Sequence, residues 1–143
     1  MMMPCFLKFI VPGEPVGKGR PRFVRATGRT FTPAKTATYE NLIAVTFEQN
    51  FPDFEPFDCP VEVYMTAYFS IPKSFSKKKH KMAEDQLIRP TKKPDTDNIA
   101  KVKDALNGIA WKDDSQVVTE HVMKFYSDRP RLEVEIYKWE AGQ

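Results

Sequence analysis

The most regular alternation of apolar and polar residues runs from Val61 to Phe69, where every second residue is apolar. A period of two predicts a β-strand with one face against the core and one amphipathic face. Weaker alternation predicts three further strands, at residues 5–11, 117–126 and 132–139. The last two are separated by the short sequence Ser-Asp-Arg-Pro, which favours a hairpin.

Two segments have the features of helices. Thr32 followed by Pro33 is a typical N-cap and first helical residue, and predicts a helix that runs to about Gln49. Apolar residues at helical spacing predict another helix over residues 97–107. Gly108 is a natural end for that helix.

The segments between these elements are polar or rich in glycine and proline. Residues 12–32 are expected to form a loop. Residues 74–86 fit either a short basic helix, capped by Ser74 or Ser76, or a mobile segment. The order β-α-β-(α)-α-β-β predicts a single α+β domain over residues 1–143. Its sheet is expected to be mixed or antiparallel, with about four strands and two to three helices.

Composition bears on the cellular setting. Hydrophobic residues make up 41% of the chain, which is enough for a modest core. The apolar run at residues 1–11 is interrupted by Lys8, is too short to span a membrane and lacks a signal-peptide cleavage site. Cys5 and Cys59 are isolated, which is typical of reduced cysteines. We therefore expect a cytoplasmic protein without a membrane partner.

The net charge of +3 is unevenly distributed along the chain. Residues 12–35 hold six basic residues and one acid, and residues 73–93 hold eight basic residues and two acids. The second segment leads directly into Asp95, so a polyanion could lie across an acidic centre. The candidate contacts to such a polyanion are Lys18, Arg20, Arg22, Arg25, Lys77, Lys78, Lys79, Lys92 and Lys93.

The acidic centre lies in residues 93–118, which carry Asp95, Asp97, Asp113 and Asp114 around a short helix. Two such charges about 4 Å apart repel by about 4 kcal/mol at an effective dielectric near 20. A whole domain is stable by only about 5–15 kcal/mol. If the four carboxylates converge, a bound divalent cation is the simplest compensation, and oxygen-only ligation suits Mg²⁺ or Mn²⁺.

Each part of this centre also has an ordinary explanation. An Asp-x-Asp-Asn run before a helix is usually a cap, and Asp113 with Asp114 is usually a solvated turn. Lys101 alone is usually an exposed residue or an i,i+4 partner of Asp97. The combination is harder to explain in this way. Carboxylates that hold a metal, a lysine that stabilises developing charge and flanking basic loops suit phosphodiester chemistry.

Four aromatic residues in and near these segments have competing interpretations. Phe23 and Phe31 fit stacking or wedge residues on DNA, although we favour core packing slightly. His80 lies in a lysine run and is expected to contact phosphate or solvent. His121 lies within a predicted strand and is expected to be structural.

Two groups of motifs resemble the RusA family of Holliday junction resolvases. The C-terminal group comprises Asp95-Thr96-Asp97-Asn98, Lys101, Asp104-Ala105-Leu106 and the run from Trp111 to Val118. The N-terminal group resembles the phage-type branch and comprises Gly13-x-Pro15, the run from Lys18 to Arg22, Thr32-Pro33-x-Lys35-Thr36 and Tyr39-Glu40. The resemblance covers nearly the whole chain.

The resemblance implies a small α+β homodimer that resolves four-way DNA junctions by paired symmetric nicks, in recombination and repair. It implies Mg²⁺, for which Mn²⁺ can substitute, held by Asp95, Asp97 and Asp114. Lys101 would be the catalytic lysine, and Asp113 is an alternative third ligand. Hydrolysis by water in line with the leaving 3′ oxygen leaves a 5′ phosphate and needs no Ser, Tyr or His nucleophile.

Two other functions remain open at this point. One is a branched-DNA-binding protein that has the fold without the reaction, against which the complete set of motif residues argues. The other is a metal-dependent nucleotide phosphohydrolase, which would not need two basic segments. The sequence does not indicate the cleavage preference, the range of branched substrates or the dimer interface.

Overall fold

A computed structural model describes residues 6–31 and 33–141, with Phe31 described by its backbone alone. Within these residues there are six strands: β1 Phe6–Pro12, β2 Arg22–Val24, β3 Arg29–Phe31, β4 Val61–Phe69, β5 Val117–Tyr126 and β6 Arg131–Lys138. The helices are α1 Ala34–Asn50, α2 Lys77–Glu84 and α3 Thr96–Lys101, followed by 3₁₀ turns at Val102–Leu106 and Asp114–Gln116.

The main sheet is mixed and has four strands in the order β1-β6-β4-β5. The β1–β6 and β6–β4 pairs are antiparallel, whereas β4 and β5 run parallel. Strands β2 and β3 form a separate two-stranded antiparallel sheet. The predicted α+β class, with about four strands and two to three helices, is therefore confirmed.

One face of the main sheet forms the core. In β4 the alternate apolar residues are all buried and the residues between them are half-buried, as the period of two predicts. Tyr39, Ile43 and Phe47 of α1 cover this face. The rings of Phe9 and Phe47 meet edge to face, with centroids 5.4 Å apart. Helix α1 also packs against the 3₁₀ turn after α3, so the core fixes the position of the acidic segment.

The predicted hairpin between β5 and β6 is wrong. Strand β4 lies between them, and residues 127–130 cross its end. Four residues reach at most about 14 Å, whereas two strand spacings are about 10 Å, so the crossing is feasible. The backbone N–H of Ser127 donates to the carbonyl of Phe69 at 2.9 Å, which holds the crossing against β4. Central placement gives β4 hydrogen-bonded neighbours on both edges.

Helix boundaries differ from the predictions in detail. Helix α1 begins at Ala34 with Pro33 in the N-cap position, while the predicted cap Thr32 lies outside the described residues. The predicted helix over 97–107 is α-helical for six residues and then tightens into a 3₁₀ turn. Gly108 follows with φ of +78°, a conformation that suits glycine at a helix end.

Residues 74–86 adopt the helical alternative. The Ser76 hydroxyl caps α2 by accepting the backbone N–H of Lys79 at 3.1 Å. No helix among residues 6–31 and 33–141 is long and apolar enough to cross a membrane. Cys59 is a half-buried free thiol, and Cys5 lies outside the described residues.

The expected loop at 12–32 contains the small β2–β3 sheet. We call residues 20–31 the arginine ribbon, because this stretch carries Arg20, Arg22, Arg25 and Arg29. Its strands have three residues each, too short for an alternating pattern to stand out in the sequence.

Candidate active site

Asp95 stands at the N-cap position of α3 without capping the helix through its side chain. Its backbone carbonyl accepts the N–H groups of Asn98 at 3.0 Å and Ile99 at 3.1 Å. Asp97 follows in the first turn with 85% of its side chain exposed, and its carboxylate lies 3.8 Å from Nζ of Lys101. The ordinary capping explanation therefore does not account for the Asp95 carboxylate.

Asp113 and Asp114 are adjacent but make different contacts. The Asp113 carboxylate accepts both the backbone N–H and the hydroxyl of Ser115, and the Gln116 side chain accepts the backbone N–H of Asp113 at 2.7 Å. The hydroxyl and then the backbone bond from Ser115 lower the pKa of Asp113 below its usual value. Asp114 instead accepts the indole N–H of Trp111 at 2.9 Å. Asp113 thus serves as a cap, while Asp114 is oriented by a fixed ring.

Trp111 is fully buried and anchors the turn that leads to these aspartates. Its backbone carbonyl accepts the N–H of Gly108 at 2.8 Å. On either side of it, Phe57 receives a bond from Lys112 at 3.3 Å and donates one to Ala110 at 2.9 Å. These bonds fix the backbone on both sides of the buried ring.

Helix α3 packs against β5, the strand that begins just after Asp114. After α3, Lys103 forms an ion pair with Glu120 of β5. Before α3, the backbone carbonyl of Lys92 accepts Nζ of Lys124, again on β5, at 2.6 Å. These two contacts hold the α3 segment alongside the strand that Asp114 precedes.

The carboxylates of Asp95, Asp97 and Asp114 do not gather within 4.8 Å of one another in the described chain. Oxygen ligands at about 2.1 Å from a shared Mg²⁺ lie within about 4.2 Å of each other, so the three side chains must draw together to share one ion. The donor set fits that ion in its chemistry, since it consists of carboxylate oxygens with no nitrogen or sulfur.

A different trio does gather within 4.8 Å: His80, Glu84 and Asp128. The imidazole bridges the two carboxylates, with Nδ1 at 2.8 Å from Glu84 and Nε2 at 3.2 Å from Asp128. Both ring nitrogens of His80 thus face carboxylates, while 38% of its side chain is exposed to solvent. His121 is exposed on the sheet, with its ring 5.8 Å from that of Tyr64.

The first basic segment and Lys93, the last residue of the second, line one cleft of about 630 Å³. The described residues that line it include five basic side chains and no acid, namely Lys18, Arg20, Arg22, Lys35 and Lys93. The backbone N–H of Lys18 donates to the carbonyl of Asn98 at 2.8 Å. A Cβ at Gly17 would lie 2.5 Å from that of Pro94, so glycine permits this approach. The loop is thereby fixed beside Asp95, and we call this space the basic cleft.

Lys18 differs from the other predicted DNA contacts because it is held by acids. Its Nζ lies 2.9 Å from Asp104 and 3.3 Å from Glu40. Burial lowers the pKa of Lys18, but the two carboxylates outweigh that effect and the net pKa is raised. The remaining predicted contacts are all exposed: Arg20, Arg22, Arg25, Lys77, Lys78, Lys79, Lys92 and Lys93.

Two basic residues are missing from the candidates chosen by sequence. Lys35 lines the basic cleft, and Arg29 lies on the arginine ribbon. The sequence feature that could have identified both is the run without acids from residue 15 to residue 39, which contains them. The preference for core packing of Phe23 is wrong, because this residue is 62% exposed. The side chain of Phe31 lies outside the described part.

Residues 12–137 match the family model described as Endodeoxyribonuclease RusA. The chain is also 47% identical over 139 residues to "Uncharacterized protein YqaN" of Bacillus subtilis (strain 168). That alignment covers 94% of this chain and 96% of the relative. The relative's name assigns no activity.

Proposed function

The chain belongs to the RusA endodeoxyribonuclease family, and from that membership we propose a metal-dependent nuclease that resolves four-way DNA junctions. In this proposal a homodimer makes paired symmetric nicks during DNA recombination and repair. The supporting observation is the basic cleft, in which the first basic segment and Lys93 of the second lie beside Asp95.

The basic cleft explains how DNA can approach an acidic centre. Duplex DNA carries one negative charge per about 1.7 Å of axis, so the aspartates alone would repel it. Basic side chains from the loop at 15–22, from the start of α1 and from Lys93 face one cleft with no acid among its described lining residues. Phosphate contacts there position the backbone without reading base sequence, which suits recognition by shape.

Asp95, Asp97 and Asp114 are the proposed ligands of Mg²⁺ or Mn²⁺. The first two have exposed carboxylates, and the third is oriented by Trp111. Asp114 is proposed ahead of Asp113, because one oxygen of the Asp113 carboxylate already accepts two bonds from Ser115. When bound, the metal supplies Lewis acidity, which polarises a phosphate and lowers the pKa of a water.

Lys101 is the proposed catalytic lysine. Its side chain is 55% exposed, and the ion pair with Asp97 keeps its ammonium group beside the proposed ligands. A positive charge held there stabilises the negative charge that develops on phosphate and on the leaving oxygen. Since water is the nucleophile, the reaction does not require the occupied imidazole of His80.

Paired nicks have a geometric basis in symmetry. A four-way junction has approximate two-fold symmetry, and a C2 dimer presents two identical sites related by the same operation. Each protomer would then cut one of two matched strands.

The direct test compares nicking of a four-way junction in Mg²⁺ by the unaltered protein, Asp97→Asn and Asp53→Asn. Asp97→Asn should cut at least about 100-fold more slowly, because a metal ligand loses its charge. Asp53→Asn makes the same chemical change in an exposed turn with φ of 58°, which Asn readily adopts, and should cut normally.

Equal cutting by all three proteins would refute the site. Tight junction binding by the unaltered protein, with no nicks in Mg²⁺ or Mn²⁺, would instead identify a non-catalytic DNA-binding protein. Hydrolysis of free nucleotides with little dependence on salt would identify a phosphohydrolase, because few phosphates are then contacted.

A further inference from the structure

The arginine ribbon projects its side chains into solvent. Every residue from 20 to 30 is exposed. The strands pair Arg22 with Phe31, Phe23 with Thr30 and Val24 with Arg29, and Gly28 lies in the connecting turn with φ of +66°. A two-stranded hairpin is at best marginally stable by itself, so an exposed ribbon that carries a large apolar side chain needs a functional explanation.

Phe23 is 62% exposed, on a ribbon that also carries four arginines. In the described part of the chain it joins no aromatic pair, unlike the clustered phenylalanines of the core. No acid occurs between Glu14 and Glu40. A ribbon that combines an exposed apolar ring with arginines fits a partner that combines negative charge with flat apolar surfaces, and nucleic acid has both.

We infer that the ribbon enters the branch point of a four-way junction, where its arginines contact phosphates and the Phe23 ring stacks on an exposed base pair. This inference rests on the proposed function and names the element by which the protein distinguishes branched from linear DNA. The groove of a linear duplex also admits a two-stranded ribbon, so the preference for branched DNA depends on the stacking contact of Phe23.

The discrimination follows from stacking. In a continuous duplex, a wedge residue must first separate two stacked base pairs. At a branch point, base pairs beside the crossover can lack a stacked neighbour, so an aromatic ring gains stacking at a smaller cost. Phe23 should therefore strengthen binding to a junction and contribute little to a linear duplex. The arginines, which contact phosphate, should strengthen both.

The position of the ribbon supports a continuous path to the acidic centre. Arg20 and Arg22 at the base of the ribbon also line the basic cleft. Lys93 and Asn98, which flank Asp95, also line that cleft. A strand that leaves a branch point held by the ribbon can thus pass through the cleft towards the proposed metal ligands.

The test measures affinity for a four-way junction and for a linear duplex of the same composition, in Ca²⁺ or EDTA. Phe23→Ala should weaken junction binding by about 5- to 150-fold, the range expected for one lost base stack. Duplex affinity should change by less than about twofold, since the lost contact is absent there. Phe23→Trp, which keeps a stacking surface, should retain the preference for the junction.

Leu87→Ala is the matched control, because Leu87 is 70% exposed and lies outside the ribbon and the basic cleft. It should change neither affinity. A 2-aminopurine base beside the crossover adds a direct readout: its fluorescence should respond to the unaltered protein and not to Phe23→Ala.

Unchanged affinities for Phe23→Ala, or equal losses on both DNAs, would overturn the inference. Equal losses together with dissociation of a dimer in sedimentation would show that Phe23 faces a second copy of the chain instead. Failure of the proposed nuclease is a separate result, because the unaltered protein would then prefer junctions and leave them intact in Mg²⁺.

Discussion

The two basic segments are similar in net charge and different in structure. In the described part of the chain, the arginines of the ribbon form no ion pair. In the second segment, several cations contact other side chains of the protein. Lys81 pairs with Asp85 at 3.0 Å, and the Arg89 guanidinium lies 4.1 Å from the centre of the Phe125 ring. Counting charges therefore overestimates how much of the second segment is available to phosphate.

The largest expected effect tests this difference directly. Replacement of Arg22, Arg25 and Arg29 by Gln should reduce the slope of log affinity against log salt by about 0.9 per lost phosphate contact, or about 2.7 in all. The equivalent variant of Lys79, Lys81 and Arg89 should show a smaller change, because Phe75, Asp85 and Phe125 already engage these cations. Both slopes can be measured by junction binding from about 50 to 200 mM salt. Equal changes would remove the distinction between the segments.

Lys18 sharpens the comparison, because it lies in the first segment but is held by acids. Lys18→Met should lower the free energy of unfolding by about 1–2 kcal/mol, since two carboxylates lose their partner. Arg25→Met, at an exposed position, should stay within about 0.5 kcal/mol. Urea unfolding at neutral pH measures both changes. Similar values would place Lys18 with the other exposed cations.

The pH dependence of the Lys18 effect has a definite sign. The pKa of Lys18 is raised above its ordinary value of 10.5. Its contribution to stability is therefore complete below that value and is lost as pH rises through the raised pKa. The difference between the unaltered protein and Lys18→Met should shrink in that alkaline range, whereas a difference caused by packing alone would persist.

The smallest effect is expected at Arg89. Its side chain stacks on Phe125 and its Nε donates to the carbonyl of Lys124 at 2.8 Å. Arg89→Ala should destabilise the fold by about 1 kcal/mol, while Lys77→Ala should be neutral within about 0.5 kcal/mol. Urea midpoints compare the two. If Arg89→Ala leaves stability unchanged but weakens junction binding, Arg89 contacts DNA, as the ribbon arginines are expected to do.

Local patterns predicted the elements of this fold better than their arrangement. Strand β4 was predicted with its observed bounds, because its alternation continues over nine residues. The pairing of β5 with β6 was predicted wrongly, since proximity in sequence favours a hairpin and nothing local reveals a strand inserted between them. The ribbon was missed because three-residue strands show no readable period.

Residue types alone predicted which carboxylates and which lysine belong to the candidate site, but not which contacts each of them makes. Asp113 and Asp114 have the same side chain, so sequence alone left either as the third ligand. They differ in their partners, which are Ser115 for one and Trp111 for the other. The partner of Asp114 depends on the burial of a ring by distant parts of the chain. Likewise, the exposure of Phe23 depends on the position of the ribbon outside the main sheet.

The position of β6 has a consequence for how the protein is made. It is the last of the six described strands but lies between β1 and β4, and it pairs with both through contacts far apart in sequence. Such pairings slow folding, because a long loop must close before the contacts form. During synthesis, β1 and β4 emerge with their facing edges unpaired. The segment from Asp95 to Asp114 is therefore complete before the sheet that supports it can close.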